Sequence, residues 1–190
     1  YGGSYYGRRR KRREKQRPVE GAAKDLVVHT HPHSAVAECC RTIRTNLAFM
    51  STDAPLKSLV VTSPGPSEGK STLAISLAIT VANSGRKVVL VDTDLRRPRI
   101  HRALGLRGQL GVTSVLAGET ELSDGLQPTE VHGMMVLASG AIPPNPSERL
   151  HTARFGRLLA SLTEQFDLVI LDSPPIGVVI DAATIGPQVG

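Results

Sequence analysis

The sequence predicts a doubly wound α/β fold, in which helices cover both faces of a parallel sheet. Short aliphatic runs at residues 58–62, 87–92 and 168–171 alternate with segments of helical periodicity, an order typical of right-handed βαβ units. Aromatic residues make up only 3% of the 190 residues and Trp is absent. The core must therefore be aliphatic, as it is in parallel sheets. The length suits one domain.

Positive charge is concentrated near the N-terminus. Residues 8–17 hold eight Lys or Arg and one Glu, so the remaining 15 basic and 16 acidic residues nearly balance. We interpret residues 1–26 as a flexible, basic, juxtamembrane-like arm that also carries the three tyrosines, Tyr1, Tyr5 and Tyr6. Residues 27–190 then form the folded domain. A simple linker is the alternative for the arm; nucleic acid is not an expected partner, because the domain has no basic surplus.

The first predicted helix begins after Ser34, a suitable N-cap. Its apolar positions recur at helical spacing: Val36, Cys39, Cys40, Ile43, Leu47 and Met50. Adjacent cysteines in a helix are poor candidates for a disulfide, so both are expected to be small core residues in a reducing compartment. On the same helix, Glu38, Arg41 and Arg44 lie about one turn apart. They form either a local ion pair or a surface for a neighbouring subunit.

A phosphate-binding loop is predicted between the strand at 58–62 and an apolar helix at 70–84 that Gly85 closes. The loop residues are Gly65, Pro66, Ser67, Glu68, Gly69, Lys70, Ser71 and Thr72. Backbone N–H groups would hold a β-phosphate, Lys70 would contact the β and γ oxygens, and Ser71 would offer its hydroxyl to Mg²⁺. Pro64 occupies the first glycine position of the usual pattern. The predicted ligands are thus ATP, or a close relative, and Mg²⁺.

Carboxylates follow two of the predicted strands. Asp92 and Asp94 come at the end of the strand at 87–92, and Asp172 ends the strand at 168–171. Ligands of doubly wound sheets bind at the carboxyl ends of the strands. Two such carboxylates could share a hydrated Mg²⁺, or one could act as a base. The sequence therefore predicts that all three meet the phosphate loop at one edge of the sheet.

Two further elements lie between these carboxylates. A strand is predicted at residues 134–138, followed by a turn-rich segment. A helix is then predicted from about Ser147. Its apolar stripe consists of Phe155, Leu158, Leu159, Leu162 and Phe166.

The order of these motifs resembles the bacterial tyrosine kinases, the cytoplasmic part of polysaccharide copolymerases. The resemblance covers the chain from about Val27 through HSAVAECCRTIRTNLAF, the phosphate loop, LVDTDLRRPR, SGAIPPNPSERL and LVILDSPP. It implies a P-loop NTPase fold and ATP-dependent autophosphorylation on tyrosine. It also implies a role in capsule or exopolysaccharide assembly at the cytoplasmic face of the bacterial inner membrane.

The resemblance assigns roles residue by residue. Lys70 would contact the phosphates, Ser71, Asp94 and Asp172 the metal and its waters, and Asp92 would be the base for a tyrosine hydroxyl. The ExxRxxR pattern of Glu38, Arg41 and Arg44 would assemble a homo-oligomeric ring. Further implied partners are a membrane copolymerase and a cognate tyrosine phosphatase.

The resemblance also implies parts that the sequence lacks. The family's sheet continues with further strands, an adenine-contacting region and usually a C-terminal tyrosine cluster. We therefore expect a piece of a longer protein, truncated at its C-terminus, whose main acceptors lie outside it; Tyr1, Tyr5 and Tyr6 are the acceptors within it.

Two alternatives stay open. A partition or septum-positioning ATPase of the ParA or MinD type would share the loop class, although such proteins carry a lysine where this chain has Gly65. A non-catalytic nucleotide sensor that gates a polysaccharide copolymerase is the other.

Overall fold

The computed structural model describes residues 25–50, 55–142, 144–145, 150 and 152–176. Within them lies a five-stranded sheet in the order β1-β5-β2-β4-β3. The strands are β1 Ser58–Val61, β2 Val88–Asp92, β3 Leu126–Pro128, β4 Met134–Leu137 and β5 Leu168–Asp172. Four of them are parallel, and β3 pairs antiparallel with β4 at the edge. The predicted parallel sheet is confirmed, with an antiparallel edge strand that was not foreseen.

Seven helices are assigned in the described ranges. They are α1 Val27–Thr30, α2 Ala35–Met50, α3 Lys70–Ala82, α4 Ile100–Ala103, α5 Val112–Ala117, α6 Leu122–Gly125 and α7 Ala153–Gln165. The predicted N-cap is present at α2, where the Ser34 hydroxyl accepts the Ala37 N–H at 3.2 Å. The last helix, α7, begins at Ala153, and the Thr152 hydroxyl accepts the Phe155 N–H. The residues around Ser147 lie outside the described ranges.

The sheet separates two hydrophobic clusters, because alternate side chains of a strand point to opposite faces. Val88 and Leu90 of β2 pack toward α1, α2 and α3. Val89 and Val91 pack toward α5 and α7 on the other face. All five predicted apolar positions of α7 are buried. The fold is therefore doubly wound, as predicted.

Helix α2 buries a narrower stripe of side chains than its sequence indicated. Cys40 is buried, but Cys39 is exposed and Val36 and Met50 are 47% and 80% exposed. Neighbouring helical positions are about 100° apart, so one face cannot bury both cysteines. The prediction that Cys39 is a core residue is wrong.

The described residues include two that precede the predicted boundary at residue 27. Asp25 is 1% exposed and bonds to Thr72 and Arg99.

Within the described ranges, no helix has the length and hydropathy of a membrane span.

Candidate nucleotide site

The phosphate loop leaves β1 and enters α3 through an unusual backbone path. Gly69, immediately before α3, has φ +86°, a conformation that glycine adopts without strain. Ser67 has φ +62° and is the one residue other than glycine with positive φ in the described part. The Gly65 N–H donates to Glu68 Oε2 at 3.1 Å, which ties the two ends of the turn together. A locally strained turn ahead of a helix N-terminus is typical of anion sites.

Lys70, the first residue of α3, connects the three predicted clusters. Its Nζ lies 3.2 Å from Asp94 Oδ2, 3.4 Å from Asp172 Oδ1 and 3.4 Å from Ser71 Oγ. The side chains of the lysine and the two aspartates are 12%, 8% and 1% exposed. The structure thus brings Lys70, Ser71, Asp94 and Asp172 together, as the sequence predicted.

Strand register explains why the carboxylates meet. Asp172 is paired with Asp92 on one side and with Val61, the last residue of β1, on the other. All three strands end at one level, and the phosphate loop begins just beyond Val61. Thr93 N–H and Oγ both donate to the Asp172 carbonyl at 2.9 Å, which fixes the chain between Asp92 and Asp94.

The oxygen atoms at this edge fit a hard cation. Asp172 Oδ2 is buried and has no hydrogen-bond partner among the described residues. Burial raises the pKa of Asp172, while Lys70 and the Ser71 hydroxyl oppose that shift. Carboxylate and hydroxyl oxygens that share a cation and retain a free acceptor are a set that Mg²⁺ can use, together with waters and phosphate. The residues present therefore fit the predicted metal.

Comparisons with known proteins identify the family of the chain. Residues 56–178 match the ParA family, described as NUBPL iron-transfer P-loop NTPase. The tyrosine-protein kinase YwqD of Bacillus subtilis (strain 168) is 42% identical over 163 residues, 86% of this chain and 69% of that protein. The chain is a ParA-type P-loop NTPase of the bacterial tyrosine kinase family.

Solved structures of the family are also similar. The chimerical protein CapA2B2 is 38% identical with a TM-score of 0.84, over 87% of this chain and 73% of its own. The kinase domain of the Escherichia coli tyrosine kinase ETK is 36% identical with a TM-score of 0.82, over 87% and 64% of the two chains. The septum site-determining protein MinD of Pyrococcus horikoshii, complexed with Mg-ADP, is more distant at 24% identity and a TM-score of 0.59. The likeness to MinD shows the fold alone.

Asp92 occupies a different environment from the other two carboxylates of this kinase-family site. It is fully buried, and its oxygens accept the N–H groups of Asp94, Arg99 and Ile100 at 3.0 to 3.2 Å. Burial, together with the nearby charge of Asp172, raises the pKa of Asp92 to about 7. Asp92 therefore supports the loop between β2 and α4. Its role as a base for tyrosine stays a prediction.

A cleft of about 460 Å³ lies over the phosphate loop. Opposite the loop it is lined by Arg97, Arg99 and Arg102. Arg99 is held by the buried Asp25 carboxylate at 2.9 Å and also donates to Thr72 Oγ at 3.1 Å. Neither Asp25 nor these arginines were predicted as site residues. The basic segment LRRPR was a visible signal for Arg97 and Arg99. Asp25 had no such signal, because it lies far from the loop in sequence.

The ExxRxxR residues lie on α2. Arg41 forms an ion pair with Glu38 at 2.6 Å and also donates to the Pro32 carbonyl. Arg44 turns toward α3, with Nη1 3.4 Å from the Thr80 carbonyl. The local ion pair is thus present, and the role in assembly remains a prediction. Tyr1, Tyr5 and Tyr6 lie outside the described residues.

Proposed function

We propose that the chain binds MgATP at the phosphate loop and transfers the γ-phosphoryl group to tyrosine hydroxyls of protein chains, including copies of itself. One observation carries the proposal: Lys70 lies between Asp94 and Asp172 directly at the N-terminus of α3. In this arrangement a bound phosphate can replace the two carboxylates as the partner of Lys70. A metal ion can then replace Lys70 as the partner of the carboxylates. Family membership supports the tyrosine as acceptor.

Nucleotide binding would rearrange this ion-pair cluster. The phosphates compete with Asp94 and Asp172 for the Lys70 ammonium, which lies within reach of both. The released carboxylates and Ser71 would hold Mg²⁺, which would supply positive charge to neutralise the phosphates. The backbone N–H groups of the loop orient the anion at the positive end of α3. These residues would thus neutralise charge and orient the phosphates, which are the main ways in which a protein catalyses phosphoryl transfer.

The acceptor hydroxyl needs help to lose its proton, because tyrosine has an ordinary pKa of about 10. The family resemblance assigns this proton to Asp92, and a pKa of about 7 suits a base at neutral pH. Its carboxylate is enclosed in this structure, so that role requires the loop between β2 and α4 to open. Until then, Asp92 positions Asp94 by accepting its N–H at 3.2 Å.

The wider role follows from the same family. We propose that the kinase controls capsular or exopolysaccharide assembly at the cytoplasmic face of the inner membrane, next to a membrane copolymerase. A tyrosine phosphatase would reverse the modification. The Glu38–Arg41–Arg44 face of α2 would join copies into a ring, so that neighbours phosphorylate one another. The basic arm at residues 8–17 would face anionic lipid.

Incubation with MgATP distinguishes the proposal from its rivals. The protein and a tyrosine-containing acceptor peptide are incubated with MgATP, with ATP and a chelator, and with the Lys70→Met variant in place of the protein. Tyrosine phosphate, ADP and nucleotide binding are all measured. A kinase yields phosphotyrosine only in the first case. ADP without phosphotyrosine indicates a ParA-like or MinD-like ATPase, and binding without either product indicates a nucleotide-sensing regulator. Both results would contradict the proposal.

A further inference from the structure

The loop between β2 and α4 and the turn after α4 form one wall of two neighbouring clefts. The first is the nucleotide cleft, which Arg97 and Arg102 line. The second, of about 580 Å³, is lined by Pro98, His101, Arg107 and the segment after β4. The short helix α4, Ile100–Ala103, presents Arg102 to one cleft and His101 to the other. A continuous wall therefore leads from the phosphate loop toward the end of β4.

This wall carries uncompensated positive charge. Among the described residues no carboxylate forms an ion pair with Arg97, Arg102 or Arg107, and all three are exposed. Arg99 differs, because Asp25 balances it. In the nucleotide cleft, the two carboxylates on the loop side already have partners: Asp94 binds Lys70 and Glu68 accepts the Gly65 N–H. No carboxylate lines the described part of the second cleft.

Hydrogen bonds hold the backbone of this wall and one of its guanidinium groups. The Arg102 guanidinium donates to the Pro98 carbonyl at 2.7 Å, which keeps it against the loop. The backbone of Arg107 exchanges two hydrogen bonds with the Gln127 amide, at 3.0 and 2.8 Å. The backbone N–H of Arg97 donates to Asp94 Oδ1 at 3.0 Å. A guanidinium that is already held, as that of Arg102 is, loses less entropy when it binds carboxylates or phosphates.

We propose that this arginine wall binds the acceptor segment and selects tyrosines flanked by acidic residues, with the tyrosine at the phosphate loop and glutamates or aspartates on Arg102 and Arg107. The inference rests on the proposed kinase function and specifies the substrate class of the same site. It also has a consequence for this chain. The tyrosines at positions 1, 5 and 6 precede a run with a charge of +7, so the wall disfavours the chain's own arm as an acceptor.

Three synthetic peptides test the proposal with the whole protein: one with tyrosine flanked by glutamates, the same peptide with glutamines, and residues 1–17 of this chain. We expect the glutamate peptide to show a kcat/KM about tenfold above that of the glutamine peptide, as one or two charge-assisted pairs would give. The arm peptide should be the poorest. Added salt should reduce the preference, since the contacts are exposed.

Variants separate the wall from the nucleotide site. Arg107→Gln changes an arginine that lines only the second cleft, so it should lower the ratio of the two peptides about threefold or more and leave the Kd for MgADP within about twofold. Arg157→Gln, an exposed arginine of α7 outside both clefts, is the matched control and should keep the preference. If the Arg107→Gln variant keeps the full preference, or if it loses MgADP affinity by the same factor, the proposal is overturned.

A binding measurement keeps this test independent of catalysis. Fluorescence anisotropy of labelled glutamate and glutamine peptides is titrated with the MgADP-loaded protein. Preferential binding that the Arg107→Gln variant loses supports the wall even if no peptide is phosphorylated, a result that would contradict only the kinase function. Phosphorylation of both peptides with equal binding would contradict only the wall.

Discussion

Lys70 is the residue on which the site depends most. Its ammonium lies within 3.4 Å of both carboxylates, and its side chain is 12% exposed. In the described structure its charge serves to neutralise Asp94 and Asp172, which would otherwise repel each other at the edge of the sheet. The same charge is available to a phosphate. Removing it should therefore affect nucleotide binding far more than folding, because the chain packs no core around the ammonium.

We predict that Lys70→Met lowers MgADP affinity by at least about 100-fold, since a buried charge-assisted contact to phosphate contributes roughly 3 kcal/mol. The variant should remain folded, because Asp172 can take up a proton. In the parent protein, Lys70 opposes that protonation by lowering the pKa of Asp172. Titration calorimetry with MgADP measures the affinity, and a thermal melt shows whether the domain is intact. A folded variant that binds MgADP as tightly as the parent would show that the phosphate loop is wrongly assigned.

Asp92 should make stability depend on pH. Burial raises its pKa from 3.8 to about 7, so the folded protein holds a proton that the unfolded chain releases between those values. The free energy of unfolding should therefore fall as pH rises from about 4 to 7, by up to about 1.4 kcal/mol per pH unit. Asp92→Asn should flatten this slope in urea titrations of the metal-free protein. The control is Asp124→Asn, an exposed aspartate on α6; equal slopes in all three proteins would contradict the assignment.

At the scale of elements, the site depends on close contacts at the carboxyl edge of the sheet. Helix α5 begins against the end of β4: the Val112 and Thr113 N–H groups donate to the carbonyls of Ala138 and Ser139 at 2.8 and 2.9 Å. Gly111, just before α5, permits this approach. A Cβ placed on it would lie 1.9 Å from the Ala138 carbonyl oxygen, so backbone atoms would have to move.

We predict that Gly111→Ala lowers the free energy of unfolding by about 2 to 3 kcal/mol, as forced overpacking does. Gly156, inside α7, is the matched control, because a Cβ on it meets no atom within 4 Å. Gly156→Ala should instead raise stability by up to about 1 kcal/mol through helix propensity. Denaturant titration of both variants decides the matter, and equal effects of the two substitutions would show that the contact at Gly111 is not tight.

The long elements were predictable from sequence, whereas the short ones and the distant contacts were not. The strands that end in Asp92 and Asp172 and the stripe of α7 have strong aliphatic patterns, and the glycine-rich loop marks the site. The edge strand β3 has three residues, too few to show a period. Asp25 forms hydrogen bonds with Thr72, which is 47 positions away in the sequence, and with Arg99, which is 74 positions away. No local pattern reveals such pairs, because tertiary packing alone creates them.

At the scale of the whole molecule, the outer face of α2 is available for self-association. Glu38 is largely exposed, Arg41 partly so, and Val36, Phe49 and Met50 of the same helix are also exposed. The local pair of Glu38 and Arg41 is an ordinary surface ion pair, worth little to stability. We propose that Arg41 exchanges this partner for a carboxylate of a neighbouring subunit.

We predict that Arg41→Ala combined with Arg44→Ala shifts the protein toward lower mass in light scattering, because neighbouring carboxylates lose their guanidinium partners. Nucleotide affinity should be unchanged, since both residues lie outside the nucleotide cleft. Arg157→Ala on α7 provides a matched surface control. An unchanged mass distribution in the double variant would show that the motif forms only its local ion pair and does not mediate self-association.

We propose that this site transfers phosphate to tyrosine and not to water. A single turnover with γ-labelled ATP and Mg²⁺, with protein in excess and the glutamate-flanked and glutamine-flanked tyrosine peptides added, measures this directly by separating labelled phosphotyrosine from labelled inorganic phosphate. We expect most of the label on peptide tyrosine with the parent protein and none there with the Lys70→Met variant. Label that appears only as inorganic phosphate would contradict the account and identify the chain as an ATPase.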